Sequence, residues 1–237
     1  MNGSRENSTY IVSEVNRAPL APHLYGDQEH RLGRHNQGMQ SQNAGSPKDP
    51  RLRTTRLVLR RWTDGDREPL AQIHADPEVM RFRPAPLSRP ESDAVIDQTE
   101  ASFEKNAFGL WAVERIKDGQ LLGFTGFGTS EFDAPFCPAV DIGWTLARSA
   151  WGHGYATEAA AAAMDYAFDR LWLDEVVAHT THMNDRSQAV MRRLGMSHDV
   201  RDDFDAPWYE EGHPRRRFVL YRMRAGDWRC RASVDAS

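Results

Sequence analysis

Apolar and polar positions alternate in two rhythms along this chain, and the change from one to the other delimits its elements. Leu57, Val58 and Leu59 form a β-prone run held between Arg56 and Arg60, which predicts a first strand. A helical spacing follows over 64–75, with Leu70 and Ile73 on one face, and Asp76–Pro77 ends it because a residue before proline avoids the helical region. A second helix is predicted over 88–105. Ser88 stands at its N-cap, Pro90 fits the first turn, and Glu91 lies three residues after Ser88 as in a capping box. Val95, Ile96, Thr99 and Phe103 make its buried stripe. The period then shortens to that of strands. Segments 109–115 and 121–129 read as a hairpin whose turn, 117–120, has Asp118-Gly119 at its centre. Segment 140–146 is a further strand, bounded upstream by Pro135 and Pro138.

The strongest helical pattern is 154–171, where Ala160, Ala163, Met164, Ala167, Phe168 and Leu171 recur at helical spacing. A strand at 176–181, a helix at 184–194 closed by Gly195, and strands at 196–201 and 217–223 complete the series. The order is β-α-α-β-β-β-α-β-α-β-β. Strand, crossover helix and strand argue for a partly parallel sheet with packed helices, and the hairpins before them make it mixed, an α+β arrangement. The pattern belongs to one domain over 51–230, followed by a short C-terminal tail at 231–237. Residues 1–50 read as a disordered polar tail: between Gly33 and Pro50 the one large apolar side chain is Met39, too little apolar surface to offset the entropy of ordering. The patch Tyr10–Ile11–Val12 does not change that reading.

Composition narrows the function classes. The 237 residues carry a formal net charge of −4, which argues against a nucleic-acid partner. No apolar run approaches the length of a membrane span, and residues 1–16 lack the apolar core of a secretory signal. Cys137 and Cys230 lie far apart, with no metal-type neighbour, and fit reduced thiols in a cytoplasmic protein.

The chemistry concentrates in Asp141-Ile-Gly-Trp-Thr-Leu-Ala-Arg-Ser-Ala-Trp-Gly-His-Gly-Tyr-Ala-Thr-Glu158. A strand runs into a loop bearing Gly152 and Gly154, and the loop opens the long helix. Glycines allow close approach of a ligand to the main chain, while the helix start offers unpaired N–H groups and the positive end of its dipole. Together these suit a phosphate-like anion, although a glycine loop between strand and helix also arises for packing alone. A mononucleotide loop requires Gly-Lys-Ser/Thr, and the chain has no Gly-Lys pair. A dinucleotide fingerprint requires a third glycine where Thr157 stands.

Trp151-Gly-His-Gly-Tyr-Ala-Thr-Glu-Ala159 resembles the acetyl-CoA-binding motif of the GNAT superfamily of N-acetyltransferases in its RimJ/RimL-like branch. Trp151 stands where many members carry Arg or Gln, and Gly154 and Ala156 fill the two small positions. Thr55-Arg-Leu-Val-Leu-Arg-Arg-Trp62 is similar to the branch's opening strand, and Asp141-Ile-Gly-Trp144 to its Glu-Ile-Gly-Tyr. Asn184-Asp-Arg-Ser187 followed by Leu194-Gly-Met196 is similar to its Asn-x-x-Ser and Leu-Gly-Phe. The similarity covers about 53–224, and four motifs in order are more specific than any one.

This resemblance implies a twisted, mixed but mostly antiparallel sheet with helices on both faces, and transfer of acetyl from acetyl-CoA to a primary amine by direct attack in a ternary complex. No metal is implied. The pyrophosphate would rest on the amides of Trp151, Gly152, His153, Gly154, Tyr155 and Ala156, with Thr157 at the helix start. The pantetheine arm would pair with the strand at Trp144 and Leu146, and Asn184 would bond it from the other side. Asp141 is the leading general base, since a free amine is almost wholly protonated at neutral pH. It is one methylene shorter than the branch's Glu, which favours a bridging water. Glu114 and Asp133 are its rivals. Ser187, at a position where many members carry a tyrosine acid, would relay a proton to the leaving sulfur. The acceptor is a protein N-terminus, notably of a ribosomal protein, or a small molecule. A homodimer is compatible with the family, and a non-catalytic acyl-CoA-binding sensor is the alternative function.

Several residues carry a plainer reading. Asn184 also fits the N-cap of the following helix, and Ser187 a helix serine bonded one turn back. Glu158 suits the helix dipole better than catalysis, and His153 points to a phosphate or to solvent. His179 and His182 are spaced wrongly for one strand face, so metal binding is not expected of them. Arg215–Arg216–Arg217, Trp208 and Tyr209 belong to a loop that either rims the acceptor pocket or packs on itself.

Overall fold

The computed structural model describes residues 51–235; the proposed tail at 1–50 and the last two residues lie outside the described residues. Nine strands form a single sheet. They are β1 (Leu52–Arg53), β2 (Leu57–Arg60), β3 (Leu110–Arg115), β4 (Leu121–Ser130), β5 (Ala139–Leu146), β6 (Glu175–Thr181), β7 (Ser197–His198), β8 (Phe204–Asp205) and β9 (Arg217–Arg224). Five helices accompany them: α1 (Arg67–Ala75), α2 (Arg89–Asn106), α3 (Tyr155–Asp169), α4 (Asp185–Arg193) and α5 (Ala225–Asp235). The strand order is β1-β2-β3-β4-β5-β6-β9-β7, with β8 also paired to β9. Every pair is antiparallel except β5 with β6.

The alternation within the central strands assigns the two faces. In β5, Val140, Ile142 and Leu146 join the core beneath α3, whose Ala159, Ala160, Ala163, Met164, Ala167 and Phe168 are all buried. Alanine at these positions lets the helix axis approach the sheet closely, and Phe168 and Met164 fill what remains. Trp111 and Val113 of β3 point the same way, while Leu110 and Ala112 point to the other face and meet Leu70 of α1 and Ile96 of α2. A third cluster, Val177, Phe204, Ala206, Phe218 and Leu220, covers that second face toward β9. The sheet is therefore clad on both sides, as the resemblance implies.

The predicted elements match this order closely. Ser88 and Glu91 close a capping box at α2, with the Ser88 amide donating to Glu91 Oε2 at 2.7 Å. Gly195 has φ +75°, the left-handed conformation that ends α4. Two differences have clear causes. The expected strand 196–201 is reduced to Ser197–His198, because residues 200–202 turn in a short 3-10 helix capped by the Asp199 carboxylate. Helix α5, not anticipated, crosses the expected boundary at 230; its Trp228 is buried against Phe168 and donates its indole N–H to Asp165 at 2.8 Å.

Buried polar groups fix how the first half sits on the sheet. Arg60 grips buried Asp66 with both guanidinium nitrogens, at 2.7 and 2.9 Å, and donates its Nε to Glu114 at 2.7 Å. His74, 2% exposed, packs its ring edge-on to Phe124 and meets Ser92 Oγ at 2.9 Å, which locks α1 to α2. Burial holds this imidazole neutral, pushing its pKa down from 6.5 to about 4, with the positive field of Arg83 adding to the effect. The unfolded chain then binds a proton that the folded one refuses. Stability is complete above the unfolded value near 6.5 and drains away toward pH 4, by about 3 kcal/mol in all. Urea unfolding between these pH values should show that loss in the wild type. In His74→Asn, which retains a group able to bond Ser92, the slope should become shallower by the His74 share, leaving that of buried His179, while overall stability is lower; an unchanged slope would refute the assignment.

Candidate active site

The loop between β5 and α3 forms one wall of the site. Gly154 is the N-cap of α3 with φ +78°, and Gly152 has φ +77°; both are conformations that L side chains rarely adopt. The first helical bond runs from the Glu158 amide to the Gly154 carbonyl at 3.0 Å. The amides of Tyr155, Ala156 and Thr157 therefore have no partner in the helix. Gly152, His153 and Gly154 are exposed, and Trp151, Tyr155, Ala156 and Thr157 are half-buried, so the mouth of the helix is open to a ligand.

Arg56 holds this loop in shape. Its Nη1 donates to the His153 carbonyl at 2.9 Å, its Nη2 pairs with Glu158 at 2.6 Å, and its guanidinium lies 4.7 Å over the Tyr155 ring. Thr54 Oγ1 donates to the same Glu158 carboxylate at 2.6 Å. Hydrogen bonds from Thr54 and Arg56 outweigh the cost of partial burial and hold the Glu158 carboxyl below its usual range. Glu158 is thus an anchor for the β2 end of the sheet. His153 is exposed and packs beside Tyr155.

The second wall is the edge of β5. Its parallel pairing with β6 has one point of register, Asp141 opposite Val177, beyond which the strands are no longer bridged. The Ala147 amide donates to the Leu122 carbonyl at 2.8 Å, so by the antiparallel alternation Gly143 and Thr145 also direct their main-chain groups to β4. Trp144 and Leu146 then direct theirs to the opened side. The Trp151 indole N–H donates to the Leu146 carbonyl there at 2.9 Å, leaving the amides of Trp144 and Leu146 as the donors of this edge.

Across the wedge, β6 delivers Asn184 and α4. Asn184 Oδ1 caps the helix by accepting from the Ser187 amide at 3.3 Å, and Asn184 Nδ2 donates to Thr180 Oγ1 at 3.0 Å and Ser187 Oγ at 3.1 Å. The capping reading of Asn184 is realised, and Ser187 Oγ accepts from the Asn184 side-chain amide. Arg186 reaches back over the Trp151 ring at 4.2 Å and draws this helix start to the glycine loop. Arg56 and Arg186 add cationic character to the mouth; both lie within the quoted motifs, yet their roles require the fold to be seen.

Asp141 stands at the closed end of the wedge, half-buried, on the face opposite α3. Burial is the leading influence and raises its carboxyl above the usual range, against the lowering effects of His179, a Ser130 hydrogen bond and Arg83. Ser130 donates to Asp141 Oδ1 at 3.0 Å and its oxygen lies 3.2 Å from His179 Nε2. The rings of Phe132, Phe136, Phe204 and Phe218 surround His179, and Trp208 packs on Phe132 and Phe218. His182, by contrast, is exposed and faces the Arg217 carbonyl. Glu114 is committed to Arg60, and Asp133 is exposed in the β4–β5 loop. Among the described residues, no group of three or more His, Cys, Asp or Glu side chains is placed to hold a metal ion, and no helix is long and apolar enough to cross a membrane.

A free helix mouth, an unbridged strand edge and a half-buried carboxylate together define a site for an extended anionic ligand beside a proton acceptor. Residues 56–197 match the family model for the acetyltransferase (GNAT) domain. The chain belongs to the GNAT acetyltransferase family, whose members use acetyl-CoA as co-substrate. It is 31% identical over 192 residues to FsC-acetyl coenzyme A-N(2)-transacetylase of Aspergillus fumigatus, covering 76% of this chain and 78% of that one. An acetyltransferase structure from Agrobacterium tumefaciens is 27% identical with a TM-score of 0.60, covering 78% of this chain and 99% of that one. RimL, a ribosomal alpha-N-protein acetyltransferase solved in complex with coenzyme A, shares the fold at 17% identity and a TM-score of 0.61, over 75% and 99% of the two chains.

The Arg56 clamp yields a direct test. Arg56→Ala removes both the tie on the His153 carbonyl and a cation beside the loop, so coenzyme A should bind roughly five- to tenfold more weakly, about 1 kcal/mol. Titration calorimetry would measure this, and unchanged affinity would show that the loop keeps its shape without the clamp.

Proposed function

We propose that this chain is a RimJ/RimL-like N-acetyltransferase that moves the acetyl group of acetyl-CoA onto a primary amine by direct attack in a ternary complex. The amides from Trp151 to Ala156, with Thr157 behind them, receive the pyrophosphate. The open edge at Trp144 and Leu146 receives the pantetheine arm as an added strand, with Asn184 and Ser187 on the opposite side of the wedge. The thioester supplies an activated acetyl group, and the chain's own residues manage protons and position. Asp141 takes a proton from the ammonium, directly or through one water, and the freed amine attacks the thioester carbonyl. A strand amide steadies the charge that develops on the carbonyl oxygen, and as the C–S bond breaks the Ser187 hydroxyl relays to the departing sulfur the second proton lost by the attacking nitrogen. The cysteines have no part in this scheme: Cys230 is exposed on α5, and Cys137 lies in the β4–β5 loop.

The observation that carries the reading is the place of Asp141. It is the residue at which β5 and β6 meet before they part, so its carboxylate borders the gap where an arm laid along β5 would end. Burial that raises its pKa also makes it a stronger base toward an ammonium. Its position opposite α3 brings the acceptor in on the side of Trp208, Tyr209 and the β4–β5 loop. An amine with a small apolar or aromatic neighbour fits that surface, which a peptide N-terminus and a small-molecule amine both satisfy. The named N(2)-transacetylase relative favours an amine nitrogen as acceptor.

The protein should release free thiol from acetyl-CoA in the presence of at least one member of a panel of N-terminal peptides and small primary amines, with mass spectrometry identifying the acetylated product. Asp141→Asn should lower kcat on that acceptor by about 10²- to 10⁴-fold, the usual worth of a general base, while coenzyme A affinity stays essentially unchanged. Turnover equal to wild type in Asp141→Asn would remove the base assignment. Coenzyme A binding without any transfer would favour a non-catalytic acyl-CoA sensor.

A further inference from the structure

Ser130 sits between two side chains that are distant in sequence, Asp141 of β5 and His179 of β6. A hydroxyl has one proton to donate. With Asp141 ionised, that proton goes to Oδ1, and the serine oxygen is left as an acceptor facing His179 Nε2. The contact at 3.2 Å is then satisfied only if Nε2 carries the imidazole proton. The other ring nitrogen agrees. His179 Nδ1 is buried and has no hydrogen-bond partner. A bare lone pair is tolerable among phenylalanine rings, whereas an N–H or a full positive charge there would be stranded.

We propose that His179 is a positioning residue for the reaction: as a neutral Nε2–H tautomer it donates to Ser130, Ser130 donates to Asp141 Oδ1, and this directed chain leaves Oδ2 turned toward the incoming amine. The proposal rests on Asp141 being the base. It uses three strands, β4, β5 and β6, and fixes the carboxylate at the point where the last two diverge. The polarity of the chain differs from that of a serine nucleophile. There the imidazole takes the serine proton with a carboxylate behind it; here the carboxylate takes that proton and nothing acidic stands behind the imidazole.

The titratable and charged groups that act on Asp141 are His179 and Arg83, the latter in the exposed segment before α2. From β9, His179 meets Phe218, which does not titrate. Burial holds the His179 pKa below its ordinary value, consistent with a neutral ring.

Two measurements on the full chain test this, and neither depends on knowing the acceptor. Nitrogen-15 spectra of labelled histidine should show His179 as the neutral Nε2–H tautomer at neutral pH. Carbon-13 titration of labelled aspartate, with Asp141 assigned from Asp141→Asn, should place its midpoint higher in Ser130→Ala by about one unit and higher in His179→Phe by about half a unit. His179→Gln, whose amide N–H occupies the place of Nε2–H, should restore most of the wild-type value. On the acceptor found by the amine panel, the acid limb of kcat/KM should move in the same direction with the acetyl-CoA KM unchanged. An Nδ1–H or doubly protonated ring, or an Asp141 midpoint unmoved by both Ser130→Ala and His179→Phe, overturns the chain while leaving Asp141 as base. Full turnover in Asp141→Asn overturns the base itself, and this role of His179 with it.

Discussion

The structure turns on one pairing that stops. β5 and β6 are joined in parallel at Asp141 and Val177 and then go unbridged, although both strands continue for several residues. Main-chain donors and acceptors left without partners are costly when water is excluded, so such an opening persists only where it meets solvent or a ligand. The fold holds it open from both sides. β4 binds the full length of β5, from Gly123–Leu146 to Ser130–Ala139, and β9 binds the full length of β6, from Glu175–Arg224 to Thr181–Phe218. Each strand is committed to its outer neighbour, and neither can swing inward without losing a complete ladder.

The helices that follow the two strands convert this gap into a site. α3 begins beyond the end of β5 and α4 beyond the end of β6, so both N-termini lie toward the open end. Arg186 stacked on Trp151 links the two starts. Positive helix ends and two arginines thus surround the entrance, while the closed end holds a carboxylate. The electrostatic gradient runs along the wedge, from a region that favours an anion to a group that accepts a proton. The pleat separates the two jobs: residues of β5 facing α3 build the core, and Asp141, on the reverse face, is available to a second substrate.

Much of this could be read from the chain alone because its signals are local. Capping at Ser88 and Glu91, the glycine after α4, the Asp118-Gly119 turn and the alanine face of α3 each act within a few residues. The segment from Asp141 to Glu158 showed its strand, loop and helix in one run. What could not be read is what depends on contacts between distant segments. Arg56 closes the glycine loop across 97 to 102 residues, and Ser130 meets His179 across 49. The His179-x-x-His182 spacing suggested only what the pair would not do, since nothing near it in sequence announces Ser130. Helix α5 was missed because its apolar content is slight, and Trp228 and Arg229 bind it to α3 through contacts distant in sequence. The short strand at 197–198 illustrates the opposite error, an expected strand whose extension is ended by the Asp199 cap.

These long-range contacts share one logic. The glycine loop offers main-chain donors, which tolerate many side chains but require a fixed backbone, and Thr54 and Arg56, from the connection between β1 and β2, supply that rigidity through Glu158 and the His153 carbonyl. The Asp141 carboxylate is a single side chain, and Ser130 of β4 bonds it with His179 of β6 behind the serine. In each case the supporting contact joins segments distant in sequence. The segments 131–138 and 203–216 carry neither the loop clamp nor the carboxylate, yet their Phe132, Phe136 and Phe204 rings enclose His179, so a change in them reaches the Ser130–Asp141 contact as well as the surface beside it.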